Sequence, residues 1–110
     1  MIRSLARLSL VFAALSPVAA LADQIDGDWC HEGLHVEIIG PQITTPGGHT
    51  IIGEYTRHSF DYVVPDGENN AGGSVAMRQM NDDMVRVETK DAGGTALGEP
   101  VVWRKCQVTS

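Results

Sequence analysis

The chain has 110 residues, of which 43% are hydrophobic and 20% charged, with a formal net charge of −6 at pH 7. A chain of this length forms one small domain with a thin core. The acidic balance counts against gripping nucleic-acid phosphates, which requires a basic patch, and against adhesion to an anionic membrane.

The first element in chain order is an export signal over residues 1–22. Arg3 and Arg7 form its positive start, residues 8–15 its apolar run, and Ser16-Pro17 its break. Ala20 and Ala22 supply the small residues a signal peptidase admits, with cleavage after Ala20 as the competing choice. The apolar run is too short for a hydrocarbon layer of about 30 Å, and no second such run follows. Arg3 and Arg7 are not adjacent, and no cysteine follows the cleavage site, so neither twin-arginine export nor a lipid anchor is indicated. The expectation is a single soluble domain over residues 23–110, periplasmic or secreted, without membrane insertion after cleavage. Losing Arg3 and Arg7 makes that domain more acidic than the whole chain.

The rest reads as short strands separated by turn chemistry. A first strand opens near Gly27. Residues 34–38 alternate apolar and polar with period two, the mark of a half-buried strand. Thr45-Pro46-Gly47-Gly48 fits a type II turn with Gly47 at the position of positive φ. Residues 50–55 form the next strand, and residues 58–64 another, with Phe60, Tyr62 and Val64 on one face. Pro65 ends it. The stretch 66–73 is a polar loop. Residues 74–80 and 84–89 make a hairpin around Asn81-Asp82-Asp83, with Val75, Met77, Val85 and Val87 toward the core. Residues 100–107 are the last strand. No 3.6-residue period is sustained after residue 22. The fold class is therefore all-β: a small antiparallel barrel or sandwich of about six to seven strands.

The two cysteines, Cys30 and Cys106, stand at opposite ends of this domain. An even pair in an exported chain reads as a disulfide, here joining the first and last strands. Closing so long a loop is worth roughly 4 kcal/mol as an upper figure. Such a staple helps close the sheet and remove an exposed edge.

Gly27-Asp28-Trp29 resembles the Gly-x-Trp that opens lipocalin-type barrels. Gly33 and Gly53-Glu54-Tyr55 loosely resemble the spacing that follows in avidin-like barrels. The resemblance implies that Trp29 plugs one end and that a basic residue of the last strand, Arg104, stacks on it as a cation–π contact. Stretches such as 26–30, 45–48, 60–62 and 103–106 are also similar to small exported proteins of proteobacteria. That similarity implies export and no particular activity.

His31-Glu32-Gly33-Leu34-His35 spells H-E-x-x-H, the zinc-protease signature. That chemistry needs a helix, where residues four apart share a face and reach one metal. Gly33, the following period-two alternation and Gly40-Pro41 all oppose a helix. On a single strand His31 and His35 would share a face about 13 Å apart, too far for one zinc. A zinc-dependent hydrolase is accordingly the third and weakest reading. A looser metal site would draw on His31 or His35 together with His49 or His58 from neighbouring strands. The loop residues Asp66, Glu68, Asn69 and Asn70 offer oxygen ligands, but their spacing departs from a calcium loop and reads as a solvated acidic turn.

Other catalytic patterns are thin. Ser59, Ser74 and Ser110 lie in no nucleophile elbow, and Ser59 points away from its neighbour His58 on a strand. Glu37, Glu54 and Asp61 are scattered carboxylates. Met77 reads as core, while Met80 and Met84 leave an apolar patch beside the hairpin turn that would suit a partner. No cofactor, no catalytic residue and no nucleic acid are expected. The favoured expectation is a non-catalytic interaction domain with a protein partner in the cell envelope, such as an inhibitor of an envelope hydrolase. The alternative is a periplasmic carrier of a small ligand or metal ion. A cavity lined by apolar residues would favour the carrier.

Overall fold

The computed structural model describes residues 24–107; the export segment, its cleavage site and Ser110 lie outside the described residues. The strands are β1 (Gly27–His31), β2 (Leu34–Ile39), β3 (Gln42–Thr44), β4 (Thr50–Ile52), β5 (Glu54–Thr56), β6 (Ser59–Val63), β7 (Ser74–Asn81), β8 (Met84–Lys90) and β9 (Val101–Lys105). They form one antiparallel sheet in the order β4-β3-β2-β1-β9-β8-β7-β6-β5. The sheet rolls into a nearly closed barrel, an up-and-down arrangement in which β1 and β9 are neighbours in space but not in the chain.

Nine strands exceed the six to seven expected from the sequence, and two places account for the difference. Gln42–Thr44 is too short to show a period, yet it pairs on both sides. Residues 50–55, read as one strand, divide at Gly53. Residues before it pair with β3, and residues after it pair with β6. The chain thus changes partners within one extended run, and this brings the two sheet edges together. Gly53 donates its backbone N–H to the Pro41 carbonyl at 2.9 Å. A Cβ at this position would stand 2.5 Å from Cε1 of the buried Phe60 ring and 2.6 Å from the Asp61 carbonyl oxygen. Neither obstacle is the loose end of a flexible side chain. Gly53→Ala is therefore expected to cost about 2 kcal/mol through overpacking, measured as a lower urea midpoint at unchanged slope.

Turn chemistry sets the hairpins. Glu32 (φ 48°) and Gly33 (φ 83°) form a two-residue loop of type I′, whose twist matches the flanking strands. Gly40-Pro41 joins β2 to β3 with positive φ only at Gly40, the II′ pattern. The 45–49 connection corrects the type II expectation. Positive φ falls on Gly48 and not on Gly47, while the Gly48 N–H bonds the Thr45 carbonyl at 2.8 Å. This is the type I turn followed by a left-handed glycine that suits longer hairpin loops.

Alternate residues point inward, and Trp29, Val36, Ile38, Ile43, Phe60, Met77 and Val85 are buried in one continuous core. One end of the barrel, with the turns at 40–41, 57–58 and 82–83, is sealed by residues 24–26. Ile25 is fully buried, and its N–H bonds the Arg57 carbonyl at 2.8 Å. Trp29 donates its indole N–H to the Ile25 carbonyl at 2.8 Å. Asp26 accepts from the Gly40 N–H at 2.8 Å and from the Tyr55 hydroxyl. That hydrogen bond, with burial and the nearby Asp26 charge, pushes the Tyr55 hydroxyl up to about 12.

The cation over Trp29 is Lys105, with Nζ 4.9 Å from the ring centroid, and not Arg104. Period two decides this: Trp103 and Lys105 face the interior, so Arg104 between them faces out, opposite Cys30. The Cys30–Cys106 disulfide is formed, with Cα atoms 5.0 Å apart. It joins β1 to the chain just past β9, in the middle of the sheet order. The edge strands are β4 and β5, so the staple secures the β1–β9 seam and Gly53 brings the edges together. Among the described residues no helix is long and apolar enough to cross a membrane.

Candidate functional site

The other end of the barrel is open. It carries the 32–33 and 45–49 turns and the long connections 64–73 and 91–100. Inside this mouth is a cavity of about 500 Å³ lined by Leu34, Tyr62, Val64, Val75, Val87 and Trp103, with Pro46, Gly47, Gly67, Glu68, Asn69, Asn70 and Thr89 around it. Its size falls within the range of small-ligand sites, as does its character of apolar walls with a few polar groups. The walls are the inward positions of β6, β7, β8 and β9 nearest the loops. The 64–73 connection contributes Gly67, Glu68, Asn69 and Asn70 to the rim of the cavity. Two hollows at the sealed end, one bounded by Asn81, Asp82, Asp83, Met84 and Arg104, the other by His58, Gln79, Met80, Asn81 and Asp82, are dents beside the hairpin turn.

Glu68 anchors the polar side of the mouth. Its carboxylate accepts from the Thr45 hydroxyl and from His49 Nδ1 at 2.6 Å, and its side chain is only 9% exposed. Burial alone would raise its pKa. The hydrogen bonds from Thr45, His49 and the Gly47 backbone outweigh that and hold the carboxyl below the usual range. The loop read as a solvated acidic turn is thus corrected at this residue: Glu68 folds inward and ties the 64–73 loop to the 45–49 turn. Asn70 is likewise engaged, donating from Nδ2 to the Lys90 carbonyl at 3.0 Å.

Tyr62 and Trp103 are each 7% exposed. Burial, and then the Glu68 charge, push the Tyr62 hydroxyl up to about 12. Neither the Tyr62 hydroxyl nor the Trp103 indole N–H has a hydrogen-bond partner among the described residues. The buried side-chain polar atom left without a partner among those residues is Gln79 Oε1, toward the sealed end. Tyr62 and Trp103 both line the cavity of the mouth.

The histidines do not converge. His31 ends β1 facing inward and stacks on Trp103, with ring centroids 5.6 Å apart. His35 faces outward and bonds Asp28 at 2.7 Å. The H-E-x-x-H run is folded by the I′ turn at Glu32-Gly33, so His31 pairs with Leu34 and His35 with Cys30. The two imidazoles lie on opposite faces of the sheet. This corrects the shared face expected of a single strand. His49 holds Glu68 at the mouth, and His58 lies at the opposite end. No group of three or more metal-ligating side chains occurs among the described residues.

The remaining candidates are also separate. Ser59 bonds Thr56, and Asp61 pairs with Arg78 in a two-point ion pair. Glu54 stands opposite Asp61, whereas Glu37 lies between Asp28 and Thr44 elsewhere in the sheet. Met77 is core, Met80 is 52% exposed, and Met84 lies beside Arg104. Tyr62, Val64, Val75 and Val87 were legible as inward-facing strand residues; Trp103 was not, because the expected Arg104 contact with Trp29 turned it the other way. That these side chains stop short of filling the barrel was not legible either. Searches against protein-family models, curated proteins and solved structures found no match.

Proposed function

We propose that the protein is an exported, non-catalytic binding domain that holds a small ligand in the open mouth of its barrel. The observation that carries this reading is the cavity of about 500 Å³, walled largely by apolar side chains and bordered by one buried carboxylate, Glu68. The opposite end is sealed by Ile25 and Trp29, so the mouth is a cup with one entrance. The disulfide points to a non-cytoplasmic, oxidising compartment. An up-and-down barrel is an architecture that commonly encloses ligands, in keeping with the lipocalin-like and avidin-like opening of the sequence.

A second reading keeps the partner macromolecular, for example an envelope hydrolase that the domain inhibits. It draws on Ile39 and Ile52, 57% and 70% exposed, which flank Gln42 on the outer face of β2, β3 and β4. One experiment separates the two. The oxidised protein, incubated with envelope extract, is examined by native mass spectrometry beside Val75→Phe and Ile52→Lys. A small-molecule adduct that Val75→Phe removes and Ile52→Lys keeps is the expected result. A protein partner lost with Ile52→Lys and kept with Val75→Phe would replace the cup with the interaction module.

A further inference from the structure

The charge arrangement in the mouth goes one step beyond ligand holding. Among the residues that line the cavity, Glu68 alone carries a formal charge, and it is negative. No lysine or arginine lines the cavity to receive a carboxylate or phosphate. An anionic ligand would lose its hydration and meet a like charge across a poorly screened space, an arrangement that rejects wrong ligands.

Glu68 is also built to stay ionised and in place. Three donors fix it: the Thr45 hydroxyl, His49 Nδ1 and the Gly47 backbone. A carboxylate has about four acceptor positions, so one remains for a ligand. Gly47 is a fitting residue for this close approach. A Cβ there would stand 2.4 Å from the Glu68 carboxyl carbon and displace it. Tyr62 and Trp103 add two aromatic systems to the same lining, and the face of such a ring attracts a cation.

We infer that the mouth selects a small organic cation, a ring-bearing apolar body with an ammonium group. The apolar body would sit among Val64, Val75, Val87 and Trp103, and the ammonium beside Glu68. This rests on the ligand-holding reading and sharpens it to one chemical class. Glu68 contributes through its fixed negative charge, and the apolar walls through area removed from water.

The test uses three probes that share one ring and differ in charge: tryptamine, 3-methylindole and indole-3-acetate. Each is titrated into ¹⁵N-labelled oxidised protein while the two indole N–H signals are followed. Trp103 reports the mouth, and Trp29, at the sealed end, is the internal control. Tryptamine is expected to move the Trp103 signal and leave Trp29 in place, with a dissociation constant about tenfold below that of indole-3-acetate. Glu68→Gln, which keeps an acceptor and removes the charge, should abolish that preference.

Equal or tighter binding of 3-methylindole or indole-3-acetate to the unaltered protein would overturn the cation preference and leave ligand holding intact. No movement of Trp103 with any probe at roughly millimolar concentration would count against both. The comparison of probes on the unaltered protein stands whether or not Glu68→Gln folds.

Discussion

Replacing both cysteines, Cys30→Ser with Cys106→Ser, is expected to lower the thermal midpoint by about 20 °C. The chain-entropy argument assigns the crosslink about 4 kcal/mol for its sequence separation of 76 residues. In a domain of this size each kcal/mol moves the midpoint by about 4–8 °C. The location adds to the effect. Strand β1 pairs with β2 through five residue pairs but with β9 through only two, Trp29 with Lys105 and Cys30 with Arg104. The seam between first and last strands thus has the shorter ladder, and the disulfide lies directly beside it. Thermal unfolding of the oxidised protein, the reduced protein and the double variant checks this. A shift below about 5 °C would mean that the β1–β9 seam holds without the crosslink.

Trp29→Ala is expected to cost about 4 kcal/mol, comparable with losing the disulfide. Trp29 is fully buried, bonds the Ile25 carbonyl at 2.8 Å and lies beneath Lys105. Removing it opens the barrel interior and unfastens the 24–26 segment that seals that end. Companion variants divide the effect. Trp29→Phe keeps most of the apolar volume and loses the hydrogen bond, for about 1–3 kcal/mol. Lys105→Met removes only the cation, for about 0.5–1 kcal/mol. Urea denaturation of the three variants reads these differences. A domain of this length has of the order of 10 kcal/mol in total, so Trp29→Ala should stay folded but with a narrow margin. A cost for Trp29→Ala no larger than that for Lys105→Met would show that the seal does not depend on the indole.

The candidate site was partly legible beforehand. Tyr62 and Val64 continue the face of Phe60, Val75 that of Met77 and Val87 that of Val85, each at two-residue spacing, so their inward direction followed from the period of a strand. Glu68 carried no such signal. It lies in a loop without periodicity, and its inward turn depends on Thr45 and His49, 23 and 19 residues away in the chain. The H-E-x-x-H run shows the converse. Its glycine and the alternation after it argued against a helix. The left-handed φ at Glu32 then folded the run into a hairpin and sent His31 and His35 to opposite faces.

The sequence by itself determined the all-β class, the inward faces of most strands and the pairing of the two cysteines. Those follow from local periodicity, turn residues and the absence of any other thiol, and they need no knowledge of the rest of the molecule. The tertiary structure alone decided what each strand edge meets. Gly53 could be read as a glycine within a strand, but the change of partner there depends on the places of Pro41, Phe60 and Asp61. Lys105 covers Trp29 because the β1–β9 register, a long-range property, sets these two inward-facing residues opposite each other, while Arg104 stands opposite Cys30. The open mouth has the same origin. A cavity is the difference between the circumference of a closed sheet and the volume of its inward side chains, and only the completed barrel fixes both.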